Sequence, residues 1–255
     1  MLKRYRKIES WLADVDHCLK HPSRGENDDL RMLAHGFYLV EDQAVHDVGR
    51  LRMLIAALEK LREGKGAGRA AFEERVMGRL AYLATGVCGE LCEAGFALRA
   101  LSASPDEVPL AQRSAFVFLQ ELCRYAIDCL AFSRPRDTLA GRRRSCAFEI
   151  MASSLGGVEL PESVFDDLKR ILKSARGNSI YGALVFCETY YGLQPDGVPD
   201  GMKDVLLCVV DKTESRGLAV GALSVLVEAG NISEFEALDR IDDWKERNNY
   251  GFWGG

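Results

Sequence analysis

No catalytic signature runs through these 255 residues. The chain lacks a His-Glu-x-x-His pair, a phosphate-cradling glycine loop, a dinucleotide fingerprint and a Ser–His–Asp order of the hydrolase kind, the short patterns that announce zinc proteases, nucleotide binders and acyl transferases. Histidine is scarce, with four residues, all within the first 46 positions. Eight cysteines stand at 18, 88, 92, 123, 129, 146, 187 and 208 without one Cys-x-x-Cys pair. That spacing argues against a zinc ribbon or a thioredoxin-type motif, and the chain is too large for a disulfide-stapled miniprotein. Most of the cysteines fall on apolar helical faces, where free thiols behave as small hydrophobes, so a reducing cytoplasm is the expected compartment. No apolar run approaches the roughly 20 residues that a membrane span requires. The basic start Met1-Leu2-Lys3-Arg4-Tyr5-Arg6-Lys7 has no apolar stretch behind it and does not read as a signal peptide. A net charge of −5 excludes a chain built overall as a polycation for nucleic acid, though not a local basic patch.

What is present is helix. Apolar residues at 47% and charged residues at 28% are ordinary for a globular chain, and the apolar positions recur at three and four, which predicts an all-α fold. Leu2, Tyr5, Ile8, Leu12, Val15 and Leu19 form one face of a first helix that His21-Pro22 stops. A long helical stretch is expected over 29–62, with bends at Gly36 and Gly49. Gly64-Lys65-Gly66-Ala67-Gly68 is the clearest breaker. A third helix is expected over 69–101, whose glycines at 86, 89 and 95 suggest close helix packing at the centre of an N-terminal bundle. Ser104-Pro105-Asp106-Glu107 offers a capped start for the next, which runs to about Phe132. Six short helices follow, over 138–155, 162–175, 179–191, 200–212, 218–229 and 234–248, the last opened by a capping box at Ser233-Glu234-Phe235-Glu236.

Among these, apolar helices ending at Gly156, Gly192 and Gly230, each ready for a left-handed glycine cap, have starts at 147, 183 and 222, offset by 36 and 39 residues. Pro161 and Pro199 open helices, and Gly182-Ala183-Leu184 and Gly221-Ala222-Leu223 start the inward faces of the helices that follow. Over 137–248 the chain resembles a HEAT-type α-solenoid, and the resemblance implies stacked helical hairpins and a scaffold or binding role. The expected organisation is a long-helix bundle over 1–102, a HEAT-like hairpin array over 103–248, and an aromatic, glycine-rich tail over 249–255.

Three sets of residues are candidates for function. Tyr190 and Tyr191, at a helix end, are candidate contact residues for a partner or equally seal the joint to the next unit, and Tyr250, Phe252 and Trp253 in the tail are candidate contact residues. The tail rings are costly to leave in water, so they either cap the last hairpin or dock on a partner or a second copy. Arg134, Arg136, Arg142, Arg143 and Arg144 form the densest basic run, able to grip phosphates or an acidic partner, although it lacks the interleaved aromatics of a single-strand platform. His17 and His21 share a helical face, and an antiparallel second helix would bring His35 beside them, with Asp14 or Cys18 completing a zinc-type site. The bland alternative places the two histidines at a helix C-terminus, where positive charge is favoured. Cys88 and Cys92, one turn apart, read as packing thiols or as a redox or metal pair. The favoured function is a non-enzymatic protein–protein interaction module, such as an adaptor, regulator or inhibitor. The alternatives are a nucleic-acid- or phosphate-binding protein using the arginine run, and a metal-dependent enzyme or sensor built on His17, His21 and His35.

Overall fold

The computed structural model describes residues 5–21, 25–63, 67–94, 106, 108–132, 138–154, 158–174, 179–194 and 196–248. These form twelve helices, with no strand among the described residues: α1 Ile8–Lys20, α2 Glu26–Phe37, α3 Asp42–His46, α4 Val48–Glu63, α5 Ala67–Glu93, α6 Leu110–Phe132, α7 Thr138–Ser153, α8 Glu162–Ser174, α9 Ser179–Gly192, α10 Asp200–Lys212, α11 Arg216–Glu228 and α12 Glu234–Arg247. The fold is all-α. No helix among the described residues is long and apolar enough to cross a membrane.

The chain divides into two compact units, Met1–Glu159 and Leu160–Gly255. The seam therefore lies well beyond the 102/103 boundary expected from the sequence. The reason is packing: α6 and α7 both lie against α5 and against each other, so they complete the first unit rather than opening an array. The tail 249–255 lies outside the described residues, as does most of the 64–68 breaker.

In the first unit α5 is the hub, packed by α2, α4, α6 and α7, while α1 lies on α2 and α4. α1 buries Ile8, Trp11, Leu12, Val15 and Cys18, the three-and-four spacing of an inward stripe. It starts at Ile8 rather than Leu2. Tyr5 instead folds over Gly36, where an added Cβ would stand 2.7 Å from its ring, and donates a hydrogen bond to Asp14 at 2.8 Å. Trp11 is fully buried, 5.1 Å from Phe37 and 5.9 Å from Phe72 between ring centres. Its indole N–H donates to the Leu33 carbonyl at 2.7 Å.

The single stretch expected over 29–62 is three helices. Asp47 is extended, and its Oδ1 accepts from the backbone N–H groups of Gly49 at 2.9 Å and Arg50 at 3.2 Å. It thus starts α4 anew, as a capping aspartate does by satisfying orphan N–H groups of the first turn.

In the second unit α8 pairs with α9 and α10 with α11, while α10 also lies on α8 and α11 on α9; α12 covers α11. Gly221 lets α11 approach α9 closely, since a Cβ there would meet Leu184 at 3.3 Å. Of the three expected glycine caps, Gly230 is left-handed at φ 71°, Gly192 belongs to α9 itself, and Gly156 lies outside the described residues. The left-handed glycine after α9 is Gly197, at φ 66°. Asn231 clamps this turn: its side chain accepts from Val198 N–H and donates to the Val198 carbonyl, each at 2.8 Å. Ser233 caps α12 by accepting from Glu236 N–H at 3.1 Å, but the Glu236 carboxylate bonds Arg240 at 3.1 Å, so only half of the expected box forms.

Gly197 predicts a sharp backbone effect. A methyl there would stand 2.5 Å from the Ala229 carbonyl oxygen, and the left-handed conformation alone costs an L-residue roughly 1–2 kcal/mol. Gly197→Ala should lower stability by at least about 2 kcal/mol in urea unfolding, and a loss below about 0.5 kcal/mol would show that the turn relaxes freely.

Candidate functional site

The arginine run turns inward. Arg143 donates to Glu73 Oε2 at 2.6 Å, and Arg142 reaches Glu74 at 3.3 Å, both glutamates lying on α5. Arg144 is buried. Arg134 and Arg136 lie outside the described residues. The acidic partner expected for this run is thus, for Arg142 and Arg143, within the chain itself. Glu73, only 2% exposed, also accepts from Arg62 Nε at 3.0 Å and from the Tyr125 hydroxyl at 3.3 Å. Arg62 lies over the Tyr125 ring at 5.1 Å and donates to Cys129 Sγ at 2.8 Å. Burial pushes the Cys129 thiol up to about 12, so this thiol is a neutral partner rather than a nucleophile. The cluster ties α4, α5, α6 and α7 together.

The expected histidine site does not assemble. His17 and His21 pack on each other at a tilt with ring centres 4.9 Å apart, whereas His35 faces Arg75 of α5, 3.5 Å from its guanidinium. Asp14 is engaged by Tyr5 and Cys18 is buried. No three His, Cys, Asp or Glu side chains converge as a metal site among the described residues. The cause is rotation about the α2 axis, which turns His35 toward α5 and leaves Leu33 and Phe37 for α1.

Tyr190 and Tyr191 seal a joint. Tyr190 packs on Phe165 of α8 at 5.1 Å and stacks on Phe186 at 5.5 Å, with Tyr191 edge-on at 5.1 Å. Tyr191 is buried, and burial raises its hydroxyl pKa, as the joint-sealing reading expects. Tyr250, Phe252 and Trp253 lie outside the described residues. The second unit carries a polar cleft of about 340 Å³ lined by Val210, Asp211, Arg240, Asp243, Glu246 and Arg247. Its charges already pair, Arg247 with Asp211 at 3.3 Å.

The arrangement that sequence reasoning missed is on the outer face of the first unit. Arg79, on α5, holds its guanidinium 4.3 Å from the ring centre of Tyr38 and 4.7 Å from that of Tyr82. Those two rings are 62% and 67% exposed. The same guanidinium forks onto Glu41, with Nε donating to Oε2 at 2.9 Å and its terminal nitrogen to Oε1; Glu41 is 5% exposed. The ion pair positions Arg79, and Arg79 in turn holds both tyrosines. Leu39, beside Tyr38, is also exposed. Further along α5, at the positions four and seven beyond Tyr82, Gly86 and Gly89 are exposed, and among the described residues no atom outside the local helix backbone lies within 4 Å of where a Cβ would stand. They are not at the centre of the packing, as their small size suggested. They expose bare helix backbone beside the aromatic patch. A signal was present in the sequence: Arg79 and Tyr82 share a face at i,i+3, and Gly86 and Gly89 extend it. What covers that face is decided by distant residues.

Compared with family models, with curated proteins and with solved structures, the chain matches none.

Proposed function

We propose that this is a non-enzymatic protein-interaction module whose first unit binds another protein through Tyr38, Leu39, Arg79, Tyr82 and the glycine strip of α5. The observation that carries this reading is the exposed Tyr38–Arg79–Tyr82 stack, pinned by a buried carboxylate. Tyrosine and arginine are the residues that dominate binding energy in protein interfaces. Rings held in place before binding lose little conformational freedom on contact. The charge of Arg79 is neutralised by Glu41, which favours a protein partner over a phosphate backbone, whose binding rests on uncompensated cations. Gly86 and Gly89 add an opening for close approach. Each costs a helix interior roughly 0.5–1 kcal/mol relative to alanine, and neither is repaid by packing among the described residues. The second unit is a short HEAT-like hairpin array in this reading, supported by α10 lying on α8 and α11 on α9. Eight free thiols support a reducing, cytoplasmic setting.

The test separates stability from binding. Gly86→Leu on an exposed helix face should leave the isolated protein as stable or more stable, by up to about 1 kcal/mol. It should also weaken partner capture, because the new side chain blocks the strip. Tyr38→Ala/Tyr82→Ala should abolish capture. The measurement is affinity capture from native lysate at low and moderate salt, with bound protein and nucleic acid both identified. A stoichiometric protein held by the wild type and lost by both variants is the expected result. Equal capture by all three, or salt-labile nucleic acid alone, would overturn the proposal.

A further inference from the structure

The helix that closes the second unit turns Trp244 inward. At roughly 100° per residue, Phe235, nine positions earlier, points the opposite way. It is 81% exposed, and Leu238, three positions on, is 60% exposed. Asp239, Asp242 and Glu246 are exposed on the same side, so five residues share a sector about 100° wide. Single apolar side chains on a surface are ordinary, but these two large ones stand on adjacent turns and border a row of carboxylates. That row disfavours the helix by itself, because Asp239 and Asp242 are three apart and Asp242 and Glu246 four apart, spacings at which like charges repel. The three bases of α12 are engaged already, Arg240 by Glu236, Arg247 by Asp211 and Lys245 by Asp242. Asp239 and Glu246 therefore keep their charge for something else.

We propose that this outer face of α12 docks a basic amphipathic helix of another protein. Its apolar side chains would cover Phe235 and Leu238, and its Lys or Arg side chains would meet Asp239, Asp242 and Glu246. Charge complementarity selects this occupant. The second unit, Leu160–Gly255, carries sixteen acidic and ten basic residues, a field that draws a cationic segment in and repels nucleic acid and anionic lipid. A second copy would set the same acidic face against itself in a two-fold contact, like charge on like. The chain's own tail, 249–255, holds three aromatic rings but no charged side chain, so it could answer the apolar pair and not the carboxylates. An exposed aromatic with charges around it is also the usual make-up of a contact patch, apolar at its centre and polar at its rim. This face shares no residue with the first-unit surface, and it stands or falls independently of that reading.

The test is fluorescence anisotropy of a labelled leucine–lysine peptide, with leucines at three-and-four spacing, titrated with the full chain at low and moderate salt. Two control peptides carry glutamate in place of lysine, or the same residues shuffled so that the leucine stripe is lost. The wild type should bind the first peptide and neither control, and more weakly as salt rises. Phe235→Ala/Leu238→Ala should weaken binding at least about tenfold. Asp239→Asn/Glu246→Gln should weaken it about threefold or more and flatten its salt dependence. Asp204→Asn/Glu214→Gln, which removes the same charge from exposed positions elsewhere in the second unit, should stay within about twofold of the wild type. All six side chains are exposed, so circular dichroism and the urea midpoint should not move. The proposal is overturned if the wild type does not bind the lysine peptide, if the glutamate peptide binds as well, or if the Phe235/Leu238 variant binds unchanged. It is equally overturned if sedimentation shows a dimer that Phe235→Ala/Leu238→Ala dissolves, which assigns the face to a second copy. Binding gained only in Phe252→Ala/Trp253→Ala would overturn it too, by assigning the face to the tail.

Discussion

Glu73→Gln is expected to destabilise the protein by about 3–5 kcal/mol, the cost of removing one partner from a buried ion pair. The carboxylate sits between two guanidiniums, 3.0 Å from Arg62 and 2.6 Å from Arg143, with side-chain exposures of 2%, 8% and 14% in that order. Glutamine keeps the shape and removes the negative charge that both guanidiniums share. Arg62 and Arg143 would then lose the counter-charge they share in a region that water reaches poorly, and neither can shed its proton. Tyr125 would keep an acceptor, so the loss is chiefly electrostatic. Urea unfolding measures the total, and amide exchange in α4, α5, α6 and α7 should accelerate because all four helices contribute to the cluster. A loss under about 1 kcal/mol would show that water already penetrates the site. Replacing the ionic trio together, with Glu73→Leu, Arg62→Met and Arg143→Met, should recover much of the stability, since apolar groups of similar volume are often neutral substitutes for a buried pair. That recovery would assign the cluster to conformational specificity rather than to net stabilisation.

Trp244→Ala is expected to cost about 3–5 kcal/mol and to release α12 before the rest of the second unit. Trp244 is the one residue of α12 that is buried, and it is fully so. Its indole N–H donates to the Thr213 carbonyl at 2.8 Å, reaching the turn between α10 and α11. Two further ties of α12 among the described residues are exposed, Arg247 with Asp211 at 3.3 Å and the Ser233 cap at 3.1 Å, worth about 1 kcal/mol each. Removing the ring leaves a large cavity and an unsatisfied carbonyl together. Amide exchange should then rise at least about 100-fold throughout α12, in keeping with a local opening cheaper by roughly 3 kcal/mol. Trp244→Phe should keep the packing and lose the hydrogen bond, at about 1–2 kcal/mol. If Trp244→Ala leaves α12 as protected as before, the helix is held by its surface pairs.

The helices themselves were written in local sequence. α10 spans Asp200–Lys212, as its apolar spacing and Pro199 foretell, and α8, α9, α11 and α12 fall within two residues of expectation. Each signal there acts between residues a few positions apart: a proline at the start, a serine whose oxygen takes a first-turn N–H, an inward stripe at three and four. The long stretch over 29–62 breaks again at Asp47, a local signal whose side chain accepts from Gly49 N–H and restarts the helix at Val48.

The candidate surface was not written that way, because it joins residues by contact rather than by spacing. Arg79 and Glu41 are 38 positions apart, and which face of α5 reaches water depends on how α2, α4, α6 and α7 share its circumference. The same partition turned Arg143 inward to Glu73, across 70 positions, against the usual solvation of an arginine run, and it left Gly86 and Gly89 open rather than packed. Sequence alone determined that this chain is helical and where most helices begin and end, since hydrogen bonding and capping are local. Only the tertiary structure decided which charges are buried, which rings are exposed and where the two units part, since burial is settled by neighbours far away along the chain.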